Sequence, residues 1–366
     1  MLNLQDFHAR VNLCISRALA SLGRWGTPVM DELFASAITM SSSGKRTRAT
    51  LVYAGLLSAC PTPSEELVSQ AVRAATSVEL CQLATLIHDD IADSSSTRRG
   101  FPTTHASLTD CHSRNQWDGD SAHFGLASGI MAADAIFALS TREMLATGCF
   151  AAVELLSDMN EEVAVGQYLD MRAECHPHST LSDAWSVITH KTVSYSALFP
   201  LRIGASLSTT TAGAAFLPHA PSLSSRDAHY GISEELDTHL LAFATPFGEA
   251  FQLRDDILGI VGNPEETGKP AAHDVSEGKK TVLYALLVDK ISPQELSWLL
   301  SLQGTCLDGE HIARIRELYR NTGVLAEVEA MIHVRENAAR TALTSMNAPA
   351  RVLLTELVDA LSSRTS

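Results

Sequence analysis

The stretch "ELVSQAVRAATSVELCQLATLIHDDIAD", residues 66–93, constrains the fold more than any other part of the chain. It contains neither Gly nor Pro, and its apolar residues recur at three- and four-residue spacing, the period of a helix with a buried face. At 1.5 Å per residue such a helix runs to about 40 Å. An element of that length needs others like it for cover. "AAVELLSDMNEEVAVGQYLDM", "HLLAFATPFGEAFQLRDDILGIV" and "VLAEVEAMIHVRENAARTALTSM" repeat the pattern. No run alternates strictly enough to read as a strand. The expected fold is all-α, a helical bundle buried around a central pair of helices. With 45% hydrophobic residues in 366, the chain has material for one large domain over 1–366. Two stretches rich in turn-forming residues, 109–125 and 209–235, are expected to be mobile loops.

Several classes are disfavoured. A net charge of -15 argues against general nucleic-acid binding. The seven cysteines are odd in number and form no CxxC pair, so a disulfide framework or structural zinc site is not expected. His176 and His178, on either side of Pro177, read as a solvated loop rather than a metal pair. No charged n-region and apolar core of a signal peptide opens the sequence. No uncharged apolar run reaches the ~20 residues of an integral membrane segment. A cytoplasmic location is expected.

The long helix ends in acids. Asp89 and Asp93 are four apart and share a face. A solvated acidic helix end is the commoner fate of such a cluster. A second copy, "RDDILG" at 254–259, changes the weighing. Asp255 and Asp256 again end an apolar helix, with Gln252 one turn back. Carboxylates on two helices facing one cavity repel each other and lose solvation unless a cation bridges them. Magnesium takes oxygen ligands and keeps positions open for phosphate oxygens. Asp89, Asp93, Asp255 and Asp256 are therefore candidate metal ligands, and the inferred ligand is a diphosphate.

Cations flank the acids. "SGKRTR" holds Lys45, Arg46 and Arg48; "TRRG" holds Arg98 and Arg99; "HKT" holds His190, Lys191 and Thr192; "GKPAAHDVSEGKKT" holds Lys269, Lys279 and Lys280. Arginine binds phosphate oxygens with a forked geometry that lysine cannot copy. These groups outnumber what one metal-bound diphosphate needs, which points to a second diphosphate held without metal.

The ordered motifs "GKRTR", "DDIADSSSTRRGFPTTH", "GQYLDM", "KT", "FQLRDD" and "TGKPAAHDVSEGKKT", from about residue 40 to about 345, make the chain resemble the trans-isoprenyl diphosphate synthases. In flavour it is similar to the actinobacterial geranylgeranyl-type enzymes. The resemblance implies an isoprenoid-synthase-type bundle around a central cavity, and a homodimer. It implies about three magnesium ions per active site, with manganese as a substitute. The substrates implied are isopentenyl diphosphate and an allylic diphosphate (dimethylallyl, geranyl or farnesyl).

Carried over residue by residue, Asp89 and Asp93 bind magnesium under the allylic diphosphate, and Asp255 completes the cluster with Asp256 close by. Arg98, Lys191, Thr192, Gln252, Lys269 and Lys279 contact that diphosphate or its metals. Lys45, Arg48, Gln82 and Arg99 hold isopentenyl diphosphate. Asp89, Asp93, Asp255, Lys191, Thr192 and Gln252 form the catalytic set. Two positions depart from the family pattern: Ser43 for a glycine, and Gly259 where many members carry Asp. Gly259→Asp is expected to change rate or magnesium requirement only modestly, and to stabilise the helix.

The implied reaction ionises the allylic C–O bond and joins the cation to the double bond of isopentenyl diphosphate. A terpene cyclase needs no second diphosphate site, which the "GKRTR" and "TRRG" clusters argue against. A non-catalytic subunit is the other rival, invited only by Gly259. Product length is expected to follow the helix back from Asp89. Ala84 and Thr85 are small and let the tail past the first turn. Leu80, Cys81 and then Ser77 lie deeper, with Met131 or Tyr168 as side chains that might close the cavity from neighbouring helices. Geranylgeranyl diphosphate is the expected product; longer polyprenyl or farnesyl diphosphate are the alternatives.

Overall fold

The computed structural model describes residues 2–25, 28–98, 100–176, 179–209, 230–262 and 271–363. Its first helices are α1 (Leu4–Ala20), α2 (Pro28–Ser41), α3 (Thr47–Ala59) and α4 (Glu65–Ala92). Then follow α5 (Thr104–Arg114), α6 (Ser121–Leu145), α7 (Phe150–Cys175), α8 (Leu181–Val187) and α9 (Phe199–Ser206). The later helices are α10 (Glu234–Val261), α11 (His273–Glu277), α12 (Val282–Val288), α13 (Pro293–Ser301), α14 (Gly309–Asn321), α15 (Val324–Ala342) and α16 (Ala348–Ser362). Among the described residues the only strands are β1 (Thr97–Arg98) and β2 (Phe101–Pro102), an antiparallel pair with Arg98 opposite Phe101. The all-α expectation holds.

The 66–93 run is α4. Ser64 caps it by accepting from the Leu67 amide at 3.2 Å, and Glu65 and Glu66 in the first turn face the positive end of the helix dipole. Its Ala71, Ala74, Ala75, Ser77 and Ala84 are fully buried, so neighbours approach closely. The hydroxyl of Ser77 donates to the Ser140 carbonyl at 2.7 Å, and Ser140 returns the bond at 2.8 Å. These reciprocal bonds knit α4 to α6 without a bulky side chain between them. The most extensive helix pairings are α4 with α6, α3 with α9 and α10 with α15; α3 and α9 also pack on α4, and α9 on α7.

The expected loop at 109–125 is a correction. Residues 109–114 belong to α5 and 121–125 to α6, leaving a short turn. Asp120 caps α6 by accepting from the Ala122 amide at 2.9 Å. Trp117 sits edge-on to His112 and Phe124, with ring centroids 5.8 and 5.5 Å away. Turn and capping residues read as a loop because each also belongs at a helix end. In the second stretch, Glu234 and Glu235 open α10 behind the cap Ser233. Residues 210–229 of it lie outside the described residues.

Candidate active site

Asp89 and Asp93 end α4 among cations from three other elements. The Lys191 ammonium donates to Asp89 Oδ1 at 3.2 Å and to Asp170 Oδ2 at 2.7 Å. Lys279 donates to Asp93 Oδ2 at 3.1 Å and pairs with Glu277 at 3.0 Å. Arg98, on β1, donates to Asp89 Oδ2 at 2.9 Å and to the fully buried Asp90. The chain reaches that position through a left-handed turn at Ser94 (φ 52°), where the Ser95 amide bonds back to the Asp90 carbonyl at 2.9 Å.

The charges are strongly coupled. Burial works to lower the Lys191 pKa, but Asp89 and Asp170 outweigh it and hold the ammonium charged. Lys279 behaves alike under Asp93, Asp274 and Glu277. Burial, then the Asp89 charge, pushes Asp93 upward. Glu174, one turn along α7 from Asp170, is pushed up to about 7 by burial and by Asp170 and Asp93. These carboxylates carry more negative charge than the site solvates.

Lys191 and Thr192 sit in a π-helix, Ile188–Leu198. Two causes are visible. Pro200, at the start of α9, has no amide to donate back into the helix. Glycines on both sides admit the wide turns: a Cβ on Gly166 of α7 would stand 2.6 Å from the Lys191 nitrogen, and one on Gly248 of α10 would stand 2.8 Å from Val193 Cα. Single π turns are frequent at functional sites. Here Lys191 points to the first acidic group and Thr192 to the second. The Thr192 hydroxyl donates to Gln252, whose amide donates to Asp256 Oδ1 at 2.8 Å.

Asp255 is exposed and Asp256 is buried. Burial and the Asp274 carboxylate push Asp256 well above the usual carboxylate range. The expectation for Gly259→Asp is corrected here. A Cβ on residue 259 would stand 2.0 Å from Asp274 Oδ2, so an added side chain collides with a carboxylate instead of relieving a helical glycine.

A second cationic group lies across Tyr195. The Arg48 guanidinium stands over the Tyr195 ring at 4.8 Å and donates to the Ser196 hydroxyl, while its buried Nε has no partner. The buried Gln82 Oε1 is likewise unpartnered. Lys45, three residues before Arg48, is exposed. Arg46 is not part of it: it binds the Asn12 side chain at 2.7 Å, Glu79 at 3.2 Å and the Ser41 carbonyl, a staple between helices. Lys280 stands 4.2 Å over the Tyr284 ring. Arg99, Lys269 and His178 lie outside the described residues.

Along α4 behind Asp89, Ala84, Leu80 and Cys81 are fully buried and Thr85 is half-buried. The Tyr195 hydroxyl reaches Thr85 Oγ1 at 3.4 Å, and Cys81 donates to Asn160 Oδ1 at 2.9 Å. Burial pushes the Cys81 thiol up to about 12, so it stays a neutral wall group. Met131 and Tyr168 do not close this path in the chain itself: they are 58% and 65% exposed.

Residues 31–321 match the family model "Polyprenyl synthetase". The chain belongs to the polyprenyl synthetase family. A solved geranylgeranyl pyrophosphate synthase from Corynebacterium glutamicum, complexed with isoprenyl diphosphate and magnesium, is 33% identical and superposes with a TM-score of 0.85 over 100% of both chains. A geranylfarnesyl diphosphate synthase of Aeropyrum pernix is 29% identical over 338 residues, 90% of this chain and 93% of the relative. A geranylgeranyl diphosphate synthase of Mycobacterium tuberculosis is 30% identical over 66% of this chain and 57% of the relative.

Within the polyprenyl synthetase bundle, sequence reasoning missed four acidic residues: Asp170 and Glu174 on α7, with Asp274 and Glu277 on α11. The signal on α7 was present. Positions 170 and 174 fall on one helical face, and Asp170 lies within the motif "GQYLDM". The donor set suits a hard divalent cation. Asp89, Asp93 and Asp255 offer carboxylate oxygens, and the raised Asp93 marks charge that a cation would satisfy.

Proposed function

We propose that the chain is a prenyltransferase condensing isopentenyl diphosphate with an allylic diphosphate, and that its main product is geranylgeranyl diphosphate. The observation that carries this reading is that the structure holds two cationic groups in different settings. One, Lys191, Lys279 and Arg98, is interleaved with carboxylates. The other is Arg48 against the Tyr195 ring, where the Arg48 Nε, like the buried Gln82 Oε1, has no partner. Two anions of different kinds fit: one brought with metal, one bound directly.

Asp89, Asp93 and Asp255 would hold the magnesium, which supplies charge stabilisation for a departing diphosphate. The allylic C–O bond breaks, the double bond of isopentenyl diphosphate forms the new C–C bond, and a proton leaves to the diphosphate released. Lys191, Lys279 and Arg98 hold that diphosphate in place. Arg48 and Lys45 orient the second substrate against the allylic carbon. Thr192 and Gln252 turn oxygen dipoles toward the forming cation, and the buried wall of α4 keeps water out.

Small Ala84 on α4 supports growth past the first turn, with Leu80 and Cys81 behind it. A homodimer is part of the same reading. Helix α6 is long and apolar enough by length and composition to cross a membrane, yet only 33% of its most apolar window is buried. Its Leu126, Ile130 and Met131 are exposed. A second copy laid on that face would cover them.

The test is incubation of the purified chain with magnesium, labelled isopentenyl diphosphate and each allylic primer, followed by chromatography of the product. Elongation to geranylgeranyl diphosphate is expected. Release of diphosphate and a hydrocarbon from geranylgeranyl diphosphate alone would identify a cyclase instead. Ala84→Phe should shorten the product to farnesyl diphosphate. An active variant with the wild-type product would show that the tail does not follow α4.

A further inference from the structure

Gly259 lies one turn beyond Asp255 and Asp256 on α10, and residues 252, 255, 256 and 259 share a face of that helix. The flank of Gly259 is filled by a group from another element. A Cβ there would stand 2.0 Å from Asp274 Oδ2 and 2.6 Å from its Cγ, so the Asp274 carboxylate occupies the space that any side chain at 259 would take. Asp274 is 8% exposed, and its ring neighbour His273 approaches at 2.9 Å. Its charge is the largest one acting on Asp256, and it also acts on Lys279, the lysine that grips Asp93.

A carboxylate pressed against a helix that already presents two others costs free energy in a buried setting. Packing alone gives no reason to place an acid there. We propose that Gly259 is a slot for Asp274, and that Asp274 is the positioning residue that adds a third carboxylate to the α10 metal group from outside that helix. The segment carrying Lys279 is thereby registered on α10 by the same acid that helps hold the metal. This deepens the proposed function and rests on Asp255 being a metal ligand.

The experiment is calorimetric titration of inorganic diphosphate into the full chain with and without magnesium, alongside thermal melts of the metal-free protein. Asp274→Asn keeps the shape and removes the charge. It should weaken magnesium-dependent diphosphate binding by about tenfold or more, the usual cost of losing a group that orients metal ligands, with the metal-free melting temperature unchanged. Gly259→Asp should lower both binding and melting temperature, because two carboxylates then compete for one space. Gly259→Asp combined with Asp274→Ala should bind several-fold more tightly than Asp274→Ala alone. Unchanged binding in Asp274→Asn with a lowered melting temperature would make the contact structural and overturn the proposal, as would a double variant no better than Asp274→Ala. If the wild type shows no magnesium-dependent diphosphate binding, the functional reading itself falls and takes this proposal with it.

Discussion

The two acidic helix ends, "HDDIAD" on α4 and "RDDILG" on α10, are spelled almost alike and are satisfied differently. At α4 the acids meet cations from β1, the π-helix and the segment after α11. At α10 the described partner of Asp256 is a neutral amide, Gln252, and the charge acting on it most strongly is another acid, Asp274. Local sequence fixes where the carboxylates stand. Whether they are compensated is decided by what distant segments bring, and that differs between the two ends.

The largest expected effect tests whether the contrast matters to chemistry. Asp89→Ala, Asp93→Ala and Asp255→Ala should each lower kcat/KM by at least about a thousandfold, ~4 kcal/mol of transition-state stabilisation. Asp256→Asn should cost only about tenfold, since that carboxyl already leans toward its neutral form. Steady-state kinetics of the four variants decide it: equal losses at 255 and 256 would break the contrast.

A second expectation separates two neighbouring cations of "GKRTR". Arg46→Ala leaves Glu79 without its charge partner in a site where the two side chains are 10% and 8% exposed. It should cost about 3 kcal/mol of stability in a urea titration, the scale for breaking a buried pair. Arg48→Ala should leave the midpoint much closer to wild type. A larger shift for Arg48 than for Arg46 would reverse the roles given to them here.

The smallest effect concerns pH. Glu174 is raised from 4.5 to about 7 in the folded chain, so folding favours its protonated form. The stability it contributes is full below about pH 4.5 and is lost as pH rises through about 7. Metal-free protein should therefore melt at progressively lower temperature across that window. Glu174→Gln should flatten the decline, and magnesium with diphosphate should mask it. Parallel slopes for wild type and variant would remove Glu174 from the charge-strained group.

The helical fold was legible because period and length are properties of a single stretch. The acids at 89 and 93 were legible for the same reason: their shared face follows from a spacing of four. What the sequence hid was long-range. Arg46 looks like Lys45 and Arg48 until Glu79 and Asn12 are folded against it. Gly259 looks like a lost acid until Asp274 fills its flank. The turn at 115–120 looks like a longer loop until Trp117 finds His112 and Phe124. Asp170 and Glu174 differ: their shared helical face is readable from a spacing of four, but only the fold brings that face against Asp93 and Lys191.

The π-helix between Ile188 and Leu198 has a consequence for how this chain can vary. A segment wound wider than an α-helix holds extra residue for the same path, and it stays wide because Gly166 and Gly248 leave it room. Removing one residue from it would let the backbone relax into ordinary α-helix. Everything downstream would then rotate by about 100° against everything upstream, one residue's share of a helical turn. Tyr195 and Ser196 would swing away from Arg48 while Lys191 kept its place. The segment thus works as a phase setting between the Asp89 group and the Arg48 group, and a single-residue deletion there should uncouple them while leaving the far-ultraviolet circular dichroism intact.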